Sequence, residues 1–187
     1  MWYSATVAAP ATEPLTIDRL KMQARVDTFD DDTLLTALTV AAREFTEAAT
    51  CVRFGSRSGI VLKCDGWDDV ARLPETPVTS IASVSYVDPT GATQTLATSV
   101  YELRTNGVEA ALVLKYGQTW PAIQAWSQIT VTAVVGYVTT PESIVHAMAA
   151  LAAHWYENRE TVSLGNASSV EVPMLFETLI CNYRRNA

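Results

Sequence analysis

Ala82-Ser83-Val84-Ser85-Tyr86-Val87-Asp88-Pro89-Thr90-Gly91 is the stretch on which the reading of this chain turns. Ala82, Val84 and Tyr86 alternate with Ser83 and Ser85, the period of two with which a strand buries one face. Asp88-Pro89-Thr90-Gly91 then puts Asp at the first turn position, Pro with its preset φ at the second and Gly at the fourth. A returning strand is expected near Gln94–Leu96. Further strands are expected at Val100–Arg104, Ala111–Tyr116 and Ile129–Val135, with Asn106-Gly107 as a hairpin signal between two of them. Upstream, Ile60–Leu62 is a short strand, Gly66-Trp67-Asp68-Asp69 a turn, and Pro74 and Pro77 punctuate the approach. Together these segments predict a small antiparallel sheet or sandwich over about 52–137.

On either side the period changes to that of a helix. Leu34, Leu35, Leu38, Ala41, Ala42 and Phe45 recur at i, i+1, i+4, i+7, i+8 and i+11, one apolar face. Arg43, Glu44 and Glu47 fall off that face and are expected to be solvated or to meet a partner. Asp30 is the expected N-cap, with Asp31 and Asp32 at the positive end of the helix dipole. Before it, Thr16 suits the cap of a shorter helix, with Leu15 and Leu20 at the staple positions. Beyond the β segment, Pro141 suits a first helical turn. Ile144, Val145, Met148, Leu151, Ala152 and Trp155 then repeat the stripe, flanked by alanines that allow close helix approach. Pro173 restarts a last helix, with Leu175, Leu179 and Ile180 on its apolar side. The predicted fold is therefore α+β: a bundle of about four helices with an antiparallel β insertion between the second and third long ones. Residues 1–14 are expected to be an N-terminal arm. Residues 15–187 are expected to form one domain, with helices over 15–50 and 141–185.

With 187 residues, 49% hydrophobic and 18% charged, the chain can bury a core. Thirteen Lys and Arg against twenty Asp and Glu leave a net charge of −7, the wrong sign for gripping phosphates. Between Tyr116 and Tyr183 the only Lys or Arg is Arg159. No secretory leader is expected at Met1–Pro10. The longest apolar stretch, His146–Tyr156, is far short of the roughly 20 residues that span a bilayer. Cys51, Cys64 and Cys181 are odd in number and lack CxxC spacing, so three reduced thiols are expected. Asn166-Ala167-Ser168 matches a glycosylation acceptor, with no leader to bring it to a glycosylating compartment.

The search for chemistry returns little. His146 and His154 stand eight apart, more than two turns, so they cannot share a metal as i, i+4 histidines do. No nucleophile signature surrounds any Ser or Cys. Gly55-Ser56-Arg57-Ser58-Gly59 lacks the Lys-Ser/Thr ending of a phosphate loop, and the acidic run Asp65–Asp69 lacks the length and closing Glu of a calcium loop. No catalytic residue, cofactor or metal is expected. Trp155 belongs to the buried stripe. Tyr156, Asn158 and Arg159 face elsewhere, where Tyr and Arg are partner-anchoring types.

Four stretches in order resemble the head-tail connector, or adaptor, proteins of tailed bacteriophages, in the branch that carries a β insertion, and the similar proteins of gene transfer agents. They are Leu15-Thr16-Ile17…Val26-Asp27…Asp30-Asp31-Asp32…Ala41-Ala42-Arg43-Glu44; Pro77-Val78-Thr79-Ser80-Ile81…Tyr86-Val87-Asp88…Gly91; Tyr116-Gly117-Gln118-Thr119-Trp120-Pro121 with Ile129–Tyr137; and His154-Trp155-Tyr156-Glu157-Asn158-Arg159-Glu160 with Val172-Pro173 and Tyr183-Arg184. The resemblance spans nearly all of Leu15–Arg185. It implies a non-enzymatic virion protein at the head-tail joint, assembled in the host cytoplasm as a ring with the portal's twelve-fold symmetry. Its implied partners are the portal protein, tail-side connector or terminator proteins and further copies of itself, with double-stranded DNA passing through unread and no membrane involved. It also implies that the last helix, Pro173–Arg185, and its tail meet the portal, and on the connector reading Pro173–Ala187 is expected to be dispensable for folding but needed for docking. Tyr156, Asn158, Arg159, Pro173, Leu175, Tyr183, Arg184 and Arg185 are then the expected interface. Two other classes compete: a small binding module using the β segment for protein or carbohydrate, and a hydrolase with a spatially assembled site at His154.

Overall fold

The structure, a computed structural model, describes residues 1–5, 8–158 and 174–185. The chain divides into two compact units, each assembled from segments far apart in sequence. One is Met1–Ala11 with Ser56–Val138, the other Thr12–Gly55 with Thr139–Ala187.

The first unit is built of strands β1 (Trp2–Ala5), β2 (Arg57–Cys64), β3 (Val78–Val87), β4 (Thr93–Thr95), β5 (Tyr101–Asn106), β6 (Glu109–Leu114) and β7 (Ile129–Val135). Five form one antiparallel sheet in the order β1-β2-β7-β3-β4, and β5 pairs with β6 in a separate hairpin. Central β7 alternates strictly, burying Ile129, Val131, Ala133 and Val135. These pack with Ile60, Leu62, Val84, Tyr101 and Leu112, so the hairpin shares its core with the sheet. Asn106 pairs with Glu109 across a two-residue loop, and Gly107 supplies the positive φ, 61°, that such a tight connection needs.

Of the expected β3 face, Val84 and Tyr86 pack on the core but Ala82 does not. The register of β3 against β7 shifts between Ile81 and Ser83, so Ile81 and Val84 join the core while Ala82 is exposed. Such a bulge sets two residues opposite one and reverses the inside-outside phase beyond it. The residues before the first helix also hold more structure than an arm. Trp2–Ala5 occupies the β2 edge, and the Trp2 indole N–H donates to the Asp69 and Arg72 carbonyls at 3.0 and 2.8 Å. An edge strand's unpaired backbone groups are a template for such an addition.

The second unit holds α1 (Ile17–Ala24), α2 (Asp32–Thr50), α3 (Glu142–Glu157) and α4 (Met174–Ile180). Thr16 caps α1 by accepting the Arg19 backbone N–H at 3.3 Å, and Leu15 and Leu20 are both buried. At α2 the expected Asp30 cap is replaced. Asp31 takes the N-cap position without a side-chain capping bond, because it accepts the Tyr156 hydroxyl at 2.5 Å, while Asp32 pairs with Lys21.

The buried face of α2 is also rotated from the expected one. Leu35, Thr39, Ala42, Arg43, Thr46, Glu47 and Thr50 point inward, while Leu34, Ala41 and Phe45 are exposed. Polar residues tolerate this burial because they are satisfied locally. The Thr39, Thr46 and Thr50 hydroxyls donate to carbonyls three or four residues back at 2.7 Å, and Arg43 bonds Glu47 at 3.3 Å and Glu13 at 2.8 Å. α3 buries Ala147, Ala149, Ala152 and Ala153 beside Ile144, Met148 and Leu151, the small residues that allow close packing. In α4, Phe176 and Ile180 are fully buried, so this helix contributes to the core of its unit and its removal is expected to cost stability. The architecture is α+β: β2 to β7 lie between α2 and α3, while β1, the outer strand of the main sheet, precedes α1.

Candidate partner-binding surfaces

Among the described residues no group of three or more His, Cys, Asp or Glu is placed to hold a metal, and no helix is long and apolar enough to cross a membrane. His146 is exposed. His154 stands two turns on, its Nδ1 3.2 Å from the Asn158 amide nitrogen. Cys64 is buried, and burial pushes its thiol up to about 11. Cys51 and Cys181 are exposed.

The helical unit offers an apolar patch from three helices. Phe45 of α2 meets Trp155 of α3 edge-on at 5.7 Å and Phe176 of α4 at 5.6 Å. It remains 37% exposed, with Leu34 at 39% and Leu175 at 49%. Contiguous exposed apolar surface of this kind is a candidate interaction face, whereas a singly exposed leucine is not.

The expected interface residues divide. Tyr156 is half-buried and spends its hydroxyl on Asp31, pinning the end of α3 to the start of α2. Asn158 closes α3, its backbone N–H and side-chain amide both donating to the His154 carbonyl, at 2.9 and 3.0 Å. Tyr183 accepts from the Ser143 hydroxyl at 3.4 Å, and the Arg185 backbone N–H satisfies the Thr50 carbonyl at the end of α2 at 2.9 Å. Leu175 and Arg184 stay on the surface, Arg184 paired with Glu177 at 2.5 Å. Arg159 and Pro173 lie outside the described residues.

The β unit gathers aromatics that the sequence showed only as members of a turn and of the Tyr116–Pro121 stretch. Trp67 stacks on Trp120 with centroids 4.7 Å apart and planes 5° from parallel, Tyr86 meets Trp67 edge-on at 5.6 Å, and the Trp67 indole donates to the Pro121 carbonyl. This stack ties the β6–β7 connection to the sheet. On the same connection Tyr116 and Trp126 are fully exposed, and Trp126 has a φ of 64°. Their signal was a large aromatic set among small and polar neighbours, Gln124-Ala125-Trp126-Ser127, where no periodic face claims it. A depression of about 390 Å³ lies by the β5–β6 hairpin, lined by Ala71, Arg72, Arg104, Asn106, Ala110 and Ala111 among others. A second concavity, of about 510 Å³, borders the end of α1, where the Lys21 ammonium sits 4.3 Å over the Phe29 ring.

No family profile and no curated protein matches the sequence. Solved structures do. A chain from the neck of an empty gene transfer agent particle, computed with C6 symmetry, superposes with a TM-score of 0.77 at 22% identity, over 99% of this chain and 97% of that one. A chain from the virion of a native gene transfer agent particle gives 0.70 at 20% identity, over 99% and 97%. One from the neck of the native particle, computed with C12 symmetry, gives 0.69 at 22%, over 100% and 96%. Likeness at this level of identity establishes a shared fold along the whole chain, β insertion included.

Proposed function

We propose that this chain is a structural neck protein of a gene transfer agent or related tailed particle. In this reading it forms an adaptor ring between the portal and the tail-side proteins, extending the channel through which DNA leaves. The observation that carries the reading is the end-to-end fold match to chains of particle necks and virions. A shared small motif fits many functions, whereas a match covering 99–100% of the chain is a narrower resemblance.

The charge supports it. A net charge of −7 suits a channel wall past which a polyanion has to slide without sticking. Ring assembly is supported by the six- and twelve-fold symmetries in which the similar neck chains were computed, since repeated head-to-tail contacts close into rings. The portal-facing surface is assigned to the α3 end and the C-terminal segment, where Asn158, Leu175 and Arg184 are exposed and Arg159 and Pro173 adjoin in sequence. No catalytic step is assigned to any residue.

The test is electron microscopy of particles whose gene for this chain is deleted. Heads that are filled or leaking, beside unattached tails, are the expected result. Normal tailed particles would overturn the reading and move a β-segment binding module ahead of it.

A further inference from the structure

We propose that Asn106 is a site of spontaneous covalent modification: its side-chain amide is lost by ring closure on the Gly107 backbone nitrogen, leaving aspartate or isoaspartate beside the β5–β6 turn. The chemistry does not depend on the neck reading. On that reading, a chain built into a particle is not renewed, so the converted fraction records the particle's age.

The step balances without an oxidant, a metal or a second protein. The Gly107 amide nitrogen, having given its proton to hydroxide, attacks Asn106 Cγ. A C–N bond forms there, the bond from Cγ to the side-chain nitrogen breaks, and ammonia leaves. The resulting succinimide then takes up water. Opening at the side-chain carbonyl gives aspartate, and opening at the backbone carbonyl gives isoaspartate, whose main chain runs through the former side chain.

Asn106 meets the demands of this step as the other asparagines do not. It alone precedes glycine; Asn158, Asn166, Asn182 and Asn186 precede Arg159, Ala167, Tyr183 and Ala187, whose side chains crowd the attacking nitrogen. At Gly107 even an added Cβ would meet nothing within 4 Å, so the ring has room to close. Asn106 and Gly107 are both exposed to water. Among the described residues nothing accepts the Gly107 N–H or bonds the Asn106 side-chain amide, so neither reacting group has to leave a partner. Asn158, by contrast, donates its amide to the His154 carbonyl at 3.0 Å. The restraint on Asn106 is its pairing with Glu109, the pair next to the turn. Exposed turn ends are where a fold opens at least cost.

Conversion rewrites the charge of the hairpin end. A new carboxylate stands opposite Glu109, and like charges directly opposite one another on paired strands repel. It also competes for Arg72, which bonds Glu109 at 3.1 and 3.4 Å and lines the same depression as Asn106. Isoaspartate in addition lengthens the main chain within the pair, which spoils its register.

The full chain tests this by ageing. One sample is held folded in mildly alkaline buffer and one unfolded in urea, and the tryptic peptide Thr105–Lys115 of each is followed by mass spectrometry. In the folded chain this peptide is expected to gain the mass of amide-to-acid conversion, at a rate rising in proportion to hydroxide, while Asn158 and Asn182 keep their amides. Survival of Asn106 in the folded chain, over the time that converts it in the unfolded one, would show that the hairpin protects it and overturn the proposal. Asn106→Gln keeps an amide but closes only through a larger, slower ring, and is expected not to age. The same mass gain in that variant's peptide would overturn the assignment to this residue. Aged wild type is expected to bind an anion exchanger more tightly, as fresh Asn106→Asp does, and to unfold at a lower urea midpoint than fresh wild type. An unchanged midpoint after full conversion would overturn the effect on the hairpin.

Discussion

Glu47 accepts the backbone N–H of Phe54 at 2.9 Å, closing the chain back onto α2 seven residues after it left that carboxylate. The other carboxylate oxygen receives Arg43 at 3.3 Å and Arg53 at 3.4 Å, and the Glu47 side chain is 2% exposed. Arg43 keeps Glu13 when Glu47 is removed, but the buried Phe54 N–H loses its acceptor. Glu47→Ala is therefore expected to destabilise the helical unit by about 1–3 kcal/mol, read as a lower midpoint in urea unfolding. No change in the midpoint would show that the Phe54 N–H finds another acceptor.

The last helix carries core and surface on opposite sides. Phe176→Ala deletes a fully buried ring and is expected to cost about 3–5 kcal/mol. Leu175→Ser, one position away and half-exposed, is expected to change stability by less than about 0.5 kcal/mol and, on the proposed adaptor reading, to weaken attachment to isolated portal. Equal stability losses at the two positions in thermal unfolding would refute the division.

The three thiols separate by environment. At pH 8 Cys51 and Cys181 are expected to react promptly with a thiol-exchange reagent. Burial holds Cys64 at about 11, leaving a thiolate fraction about 100-fold below that of an ordinary exposed thiol, so Cys64 should react only once denaturant is added. Three equivalents titrating together in the native protein would contradict its burial.

Where the sequence was legible, one rule governed the segment. β7 came out at Ile129–Val135 because each of its inward positions is apolar, and Thr16 capped its helix because its hydroxyl reaches the Arg19 N–H. Where two effects compete, hydropathy alone misleads. α2 has an apolar stripe through Leu34, Ala41 and Phe45, but the interior accepted the face carrying Thr39, Arg43 and Glu47, whose polar groups find partners within the same unit. No local pattern announces an ion pair closed by Glu13, thirty residues upstream of Arg43. The same holds for the bulge at Ala82, which is set by β7 across the sheet. The candidate surface was harder still. Tyr156 and Tyr183 have the composition of anchors but are tied to Asp31 and Ser143, whereas Trp126 sits in a loop that no periodicity could rank.

The turn at Asp88 sets a pH boundary. Hydrogen bonds from the Thr90 hydroxyl, the Gln94 amide and the Ala92 and Thr90 backbone N–H groups hold its carboxyl down to about 2. A depressed carboxylate stabilises the fold above its unfolded value, near 3.9, and that contribution is lost as the pH falls toward 2. The β3–β4 turn is expected to stay ordered at pH 4, with the Asp88 carboxyl carbon titrating near 2 by NMR. A midpoint near 3.9 would mean that the bonds do not hold in solution.

β2 and β7 are neighbours, with Arg57 opposite Val135, so the β unit enters and leaves the chain by adjacent antiparallel strands. A block attached by such a narrow stem can be gained or lost by a lineage without redrawing the helices on either side. Here it cannot travel alone, because the sheet's outer strand is encoded at the very start of the chain, with α1 and α2 intervening. A relative that shed residues 56–138 would leave Trp2–Ala5 with no strand to join. Selection on the two stretches is thereby linked, and they can be expected to appear and disappear together across a lineage.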